Sequence, residues 1–144
     1  MRLHLTGSAT ASLILRIGLG VEFLMFGYGK LVDVGGWIAF IPPWMSPLLP
    51  ASVGTFLTVI GVAELLLGVL LLIGLWTRVI AVLAALHLVG VLVAVGYNDL
   101  AIRDFVALAS ALALAALGPA GCHYSIDGHR TTASSPHLIT SPRP

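Results

Sequence analysis

Charged side chains are scarce in this sequence. They make up 9% of its 144 residues, whereas roughly a quarter of the residues in soluble domains are charged. The formal net charge of +1 is too small for a nucleic-acid-binding surface. Hydrophobic residues make up 58% of the chain. This composition predicts an integral membrane protein that is solvated by lipid.

Cysteine is nearly absent as well. Cys122 is the only one, which excludes an intramolecular disulfide, a CxxC redox pair and a thiolate cluster. His87 is the only histidine within a predicted span, so a bis-histidine haem is not expected. No two candidate metal ligands lie three or four residues apart within a helix, and no nucleotide-binding fingerprint occurs. We therefore expect no metal or cofactor bound by this chain alone.

Long apolar runs dominate the remaining sequence. A spanning helix needs about 20 apolar residues to cross the hydrocarbon layer, and four runs approach that length: 12–31, 52–76, 77–97 and 101–117. The predicted fold class is all-α, an antiparallel four-helix bundle in the membrane. We place this transmembrane domain at residues 1–128 and a polar C-terminal tail at 129–144.

Glycine and proline interrupt the segment between the first two runs. This Trp/Pro-rich loop contains Trp37 and Trp44 and is too broken to span. Tryptophan favours the membrane interface, so we expect the loop to lie at the headgroup level. It is either an ordinary interfacial anchor or a lid that gates a substrate.

The distribution of basic residues predicts the orientation. One side of the predicted spans carries Arg2, Arg16, Arg78, Arg130 and Arg143, and the other carries only Lys30 and Arg103. By the positive-inside rule both termini are cytoplasmic, as in a multi-pass protein of the bacterial inner membrane. Arg16 and Lys30 lie close enough to the membrane surfaces to serve as interfacial anchors.

Three ionisable residues lie near the middle of predicted spans. Glu22, Glu64 and His87 belong to the first, second and third spans. Ionisable groups at this depth are costly and usually face the interior of a bundle. They either form a structural network that joins the helices, or they line a polar cavity that binds a quinone headgroup or relays protons. Arg78 is the fourth residue that we assign to this candidate site.

Glycines share the helical stripes of the two glutamates. At about 100° per residue, the glycines predicted to mediate helix packing are Gly18 and Gly29 beside Glu22, and Gly54, Gly61 and Gly68 beside Glu64. The opposite stripe of the first span also combines small and basic residues: Arg16, Gly20, Gly27 and Lys30.

Several short motifs in order resemble the DoxX family of small integral membrane proteins. They are Leu15-Arg16-Ile17-Gly18-Leu19-Gly20, Phe26-Gly27-Tyr28-Gly29-Lys30-Leu31, the run from Glu64 through Gly68 to Gly74-Leu75-Trp76-Thr77-Arg78, Gly118-Pro119, and Tyr124-Ser125-Ile126-Asp127-Gly128. The resemblance covers about residues 13 to 128. Family members often have a histidine where this chain has Phe26, so a role tied to that histidine is not carried over.

The resemblance implies an accessory membrane subunit of a quinone-linked redox complex. Such a subunit would contact lipid and other protein subunits, and quinone is the one cofactor that it would meet. With one cysteine and no cofactor motif, the chain looks more like a partner of a redox enzyme than a complete oxidoreductase. The other hypotheses are a purely structural or assembly subunit, and a small transporter or lipid-binding module.

Overall fold

The computed structural model describes residues 7–96 and 99–119. The predicted tail, Cys122 and the last motif of the resemblance lie outside the described residues, as do Arg2 and the end of the third predicted span. The two-domain division at residue 128 therefore stays a prediction.

Helices account for all the regular structure in the described residues. They are α1 (Gly7–Val32), α2 (Val34–Ile38), α3 (Val53–Ile73), α4 (Thr77–Val95) and α5 (Asp99–Leu117), with a 3-10 turn at Ser46–Leu48 between α2 and α3. In this part of the chain α1, α3 and α4 are long and apolar enough to cross a membrane. The all-α class and the membrane character are thus confirmed. The fourth predicted span corresponds to α5, and a four-span bundle stays a prediction.

Local signals set the helix boundaries. The Ser52 side chain accepts a hydrogen bond from the Thr55 amide at 3.2 Å, which caps the start of α3. Gly74 ends α3 in the left-handed conformation, with φ at 80°. Trp76, the N-cap of α4, is a second left-handed residue, with φ at 46°. Two such residues so close together reverse the chain, and they place α4 antiparallel to α3 across a three-residue turn.

Paired glycines bring α1 and α3 into close antiparallel contact. A methyl group added at Gly27 would lie 2.6 Å from the carbonyl oxygen of Gly61, and one added at Gly68 would lie 2.8 Å from that of Gly20. Since the partners are backbone atoms, neither contact has room for a side chain. This backbone proximity is the small-residue packing of membrane helices.

The glycine stripe of α1 that contacts α3 is therefore the one containing Gly20 and Gly27. Gly18, which we expected in this contact, has no atom within 4 Å of its Cβ position. Gly29 instead adjoins the Trp37 indole, and Gly54 is in ordinary contact with Val34. Two stripes on α1 carry a pair of glycines each, so the sequence pattern alone did not identify the right face.

Arg16 stabilises the end of α3. Its Nε donates to the Leu71 carbonyl at 3.0 Å and its Nη2 to the Leu72 carbonyl at 3.1 Å. The residue is 7% exposed, so it does not extend to the membrane surface as an anchor, which corrects the sequence interpretation. The last carbonyls of a helix lack partners within the helix, and the guanidinium supplies two.

Small residues let α4 and α5 pack closely. The core between them is rich in alanine, including Ala84 and Ala111, both 0% exposed. At the end of the bundle where α5 stops, the Ser12 hydroxyl donates to the Gly118 carbonyl at 2.9 Å. The start of α1 therefore lies beside the end of α5, and the loop containing α2 lies at the opposite end of the bundle.

Candidate functional site: a roofed cavity with a charged end

A cavity of about 320 Å³ lies between the helices and the loop. Trp37, Phe40, Ile41 and Met45 come from the α1–α3 loop and form its roof. Most of the wall is apolar. The ionisable residues that line it come from four helices: Glu22, Lys30, Glu64, His87, Arg103 and Asp104.

Glu64 is the centre of the charged end. Lys30 Nζ lies 2.6 Å from one of its carboxylate oxygens and 2.9 Å from the other. His87 Nε2 lies 2.9 Å from the second oxygen. The Glu64 side chain is only 5% exposed and those of Lys30 and His87 are 10% and 16% exposed. Three helices, α1, α3 and α4, thus each contribute one member of a buried network.

This geometry corrects the interpretation of Lys30 as an interfacial anchor. Its ammonium turns inward to Glu64 because a buried carboxylate without a counter-ion is strongly unfavourable. Sequence reasoning did not connect the two residues. The sequence feature that could have indicated this pair is the helical stripe of α1 that Lys30 shares with Gly20 and Gly27, since that stripe faces α3.

Aromatic side chains connect the network to the roof. Lys30 Nζ lies 4.3 Å from the centre of the Trp37 ring and 5.5 Å from that of Phe26. The Phe26 and Trp37 rings meet edge to face at 5.6 Å. The indole nitrogen of Trp37 would lie 3.3 Å from a methyl group at Gly29, so the glycine lets the indole lie against α1. The ammonium is therefore held between a carboxylate and an aromatic face.

Arg103 and Asp104 extend the charged end across α5. Arg103 Cζ lies 4.0 Å from the centre of the Phe26 ring, and its Nη2 lies 3.5 Å from Asp104 Oδ1. Sequence reasoning assigned Arg103 only to an outer surface and did not select Asp104. The first turns of α5 are more polar than the rest of that helix, which was the only available signal.

The structure brings together three of the four residues of the predicted site. Glu22, Glu64 and His87 all line the cavity, and the His87 and Phe23 rings lie 5.8 Å apart. Arg78 does not join them. Its guanidinium lies beside Gly118, near the end of α5, so the structure separates it from the cavity.

The two predicted tryptophan anchors differ in environment. Trp37 is partly buried in the roof, whereas Trp44 is 57% exposed and is free to contact lipid headgroups. In the described residues no group of three His, Cys, Asp or Glu side chains is arranged to hold a metal ion. The lining of the cavity offers an apolar molecule a pocket that has hydrogen-bonding groups at one end.

No curated protein and no solved structure matches this chain. The DoxX family model matches residues 11–97, which include most of α1, the roof, α3 and α4. Arg103 and Asp104 lie beyond the matched residues. Because the match covers more than half of the sequence, the chain belongs to the DoxX family.

Proposed function

We propose that this protein is a small accessory subunit of a membrane-bound, quinone-linked redox complex, and that its cavity receives the quinone headgroup. The observation that carries the proposal is an apolar cavity, roofed by aromatic residues, that ends in a charged cluster. Pockets for small molecules typically have volumes of about 300–1,000 Å³ and place a few polar groups in an apolar wall. The volume of about 320 Å³ fits a single ring system.

We further propose that α5 is a fourth span, that the protein lies in the bacterial inner membrane, and that both termini are cytoplasmic. The close packing of α5 on α4 supports a spanning position, since a helix that covers an apolar core at this depth must itself lie in the membrane. Arg16 and Arg78 both lie at the end of the bundle that this orientation makes cytoplasmic. The roof then faces outward.

The test is to purify the protein from its own membranes in mild detergent and to identify bound quinones and partner subunits by mass spectrometry. Ala94 lines the cavity, whereas Ala109 is exposed on α5. Ala94→Trp should fill the cavity and abolish quinone retention, and Ala109→Trp is the matched control that should retain it. Absence of quinone from the wild-type protein, or equal retention by both variants, would refute the proposal.

A purely structural subunit is the second candidate, and one observation favours it. In the part of the chain that the structure describes, no buried side-chain nitrogen or oxygen lacks a hydrogen-bond partner. Most of the hydrogen-bonding groups in the buried network are paired within it, between Lys30, Glu64 and His87. This is expected of a network that only joins helices. If this is their role, Glu64→Gln with His87→Phe should lower the yield of the complex and leave turnover per assembled complex unchanged.

A further inference from the structure

Helices α3 and α4 separate on the side of the bundle nearer the roof. Beside the turn that joins them, Leu67 and Leu70 of α3 pack in the same core as Ile80 of α4. Phe56 and Ile60 precede Leu67 by 11 and 7 residues, and these spacings keep them on the same stripe of α3. They line the cavity instead. The face of α3 that is covered near the turn therefore borders open space near the roof.

The contact between Glu64 and His87 bounds this space at the end nearer the turn. It joins α3 to α4 over a distance of 2.9 Å. Beyond it, α4 borders the cavity through Gly90, Val91 and Ala94. Ala94 lies seven residues beyond His87, which is about 10 Å along the helix axis at about 1.5 Å per residue. The space between α3 and α4 is therefore a groove of about that length, and we call it the α3–α4 groove.

Leu86 and Gly90 form the outer rim of the α3–α4 groove. Leu86 lines the cavity and is nevertheless 63% exposed, so its side chain lies between the cavity and the surroundings of the bundle. Gly90, one helical turn further along α4, has open space at its Cβ position. The exposed residues beside them, which include Val82, Val89 and Val93, are apolar, as is typical of a helix face in contact with lipid. The groove is therefore open sideways to the hydrocarbon layer.

The walls of the α3–α4 groove suit a hydrocarbon chain. Phe56, Ile60 and Val91 present apolar side chains to an occupant. An ordered water needs about three polar partners, which this stretch of wall does not supply. Apolar side chains beside unfilled space lose dispersion contacts, and in a bilayer the molecules that surround α4 are lipids with flexible chains. Such chains run roughly parallel to spanning helices, so one can enter the groove lengthwise.

We infer that an acyl chain of a membrane phospholipid occupies the α3–α4 groove, with its headgroup at the level of the roof. Trp44, which is 57% exposed in the α1–α3 loop, marks that level, since tryptophan favours the headgroup region. The chain enters past Gly90 and ends near the contact between Glu64 and His87. This lipid site is additional to the proposed function and does not depend on it. A ligand at the charged end of the cavity must displace the chain or pack against it.

The experiment is photolabelling of the full-length protein in nanodiscs by a phosphatidylcholine that carries a diazirine midway along one acyl chain. Leu57 and Val59 lie at a similar depth on α3, but Leu57 is 3% exposed and lines the cavity, whereas Val59 is 62% exposed. A chain in the groove should label both residues, and mass spectrometry of peptides would give the ratio of the two labels. Label on Val59 without label on Leu57 would overturn the inference.

Two glycines with open Cβ positions provide a matched pair of variants. Gly90→Trp puts a large side chain at the mouth of the groove, whereas Gly18→Trp puts the same side chain on the exposed face of α1. We expect Gly90→Trp to lower the ratio of Leu57 label to Val59 label by at least about fivefold, the factor given by a small overpacking cost. Gly18→Trp should leave the ratio unchanged. An equal ratio in the two variants would overturn the inference.

A third leucine reports whether a variant is folded. Leu71 is 0% exposed and packs in the core away from the cavity, so a label there indicates unfolding. If Gly90→Trp is unfolded by this criterion, Ile60→Trp fills the groove from α3 and should lower the same ratio; an unchanged ratio would overturn the inference. The probe contains no ring, so absence of quinone from the purified protein would refute the proposed function and leave the lipid site standing.

Discussion

The glycine contact between α1 and α3 gives the sharpest test of how the bundle is assembled. In Gly27→Ala the new Cβ would lie 2.6 Å from the Gly61 carbonyl oxygen and 2.9 Å from the Leu65 amide nitrogen, whereas ordinary van der Waals contact begins at 3.4 Å. Both partners are backbone atoms, so no side-chain rotation relieves the overlap. The two helices must separate along this contact.

The expected cost follows from overpacking. Extra methyl groups in well-packed interiors typically cost about 1–3 kcal/mol, and a gap of 0.5–1 Å loses about a quarter to a half of each dispersion contact. We predict that Gly27→Ala lowers the free energy of unfolding by about 1–3 kcal/mol relative to Gly18→Ala. Gly18 has open space at its Cβ position. The gain in helix propensity, about 1 kcal/mol, is shared by both variants and cancels in the comparison.

The assay is reversible unfolding in mixed detergent micelles by titration with sodium dodecyl sulfate, followed by circular dichroism. Both variants have the same substitution on the same helix, so the difference between them reports the contact with α3. Equal stability of Gly27→Ala and Gly18→Ala would refute the close antiparallel contact. It would also remove the basis for placing Lys30 beside Glu64.

Three further predictions concern the groups around this contact. Lys30→Met leaves the Glu64 carboxylate without its cation and should lower the free energy of unfolding by about 3–5 kcal/mol in the same assay. Adding Glu64→Gln should recover most of that loss. A double variant as unstable as the sum of the two single variants would contradict the ion pair. Arg16→Met leaves two helix-terminal carbonyls without their donor and should cost about 1–3 kcal/mol, whereas a neutral effect would contradict the cap. Gly29→Leu should displace the Trp37 indole and speed proteolysis of the α1–α3 loop, and an unchanged cleavage rate would show that the roof does not depend on this contact.

Hydropathy predicted the helices because a helix that crosses the lipid layer needs a long apolar run. It also placed Glu22, Glu64 and His87 near one depth, and all three line the cavity. Depth, however, follows the Cα position. The Lys30 side chain is long enough to reach Glu64 from a Cα near the end of α1, so its partner could not be deduced from depth.

The rotation of α1 was the second feature that the sequence left open. Two stripes on this helix each combine glycine with ionisable residues, so both fitted a helix contact equally well. Only the placement of α3 distinguishes them, since Gly20 and Gly27 meet backbone atoms and Gly18 meets none. Arg103 was missed for a related reason: its role depends on a contact with Phe26, which is distant in sequence.

We propose that a quinone headgroup occupies the cavity beneath the α1–α3 loop. Photolabelling with an azido-substituted quinone, followed by peptide mapping, tests it most directly. We expect labels on cavity residues such as Phe26 and Met45, and loss of those labels in the presence of excess unlabelled quinone. Labels only on exposed helix faces, such as those around Val79 and Phe105, with no competition by unlabelled quinone, would contradict quinone binding in the cavity.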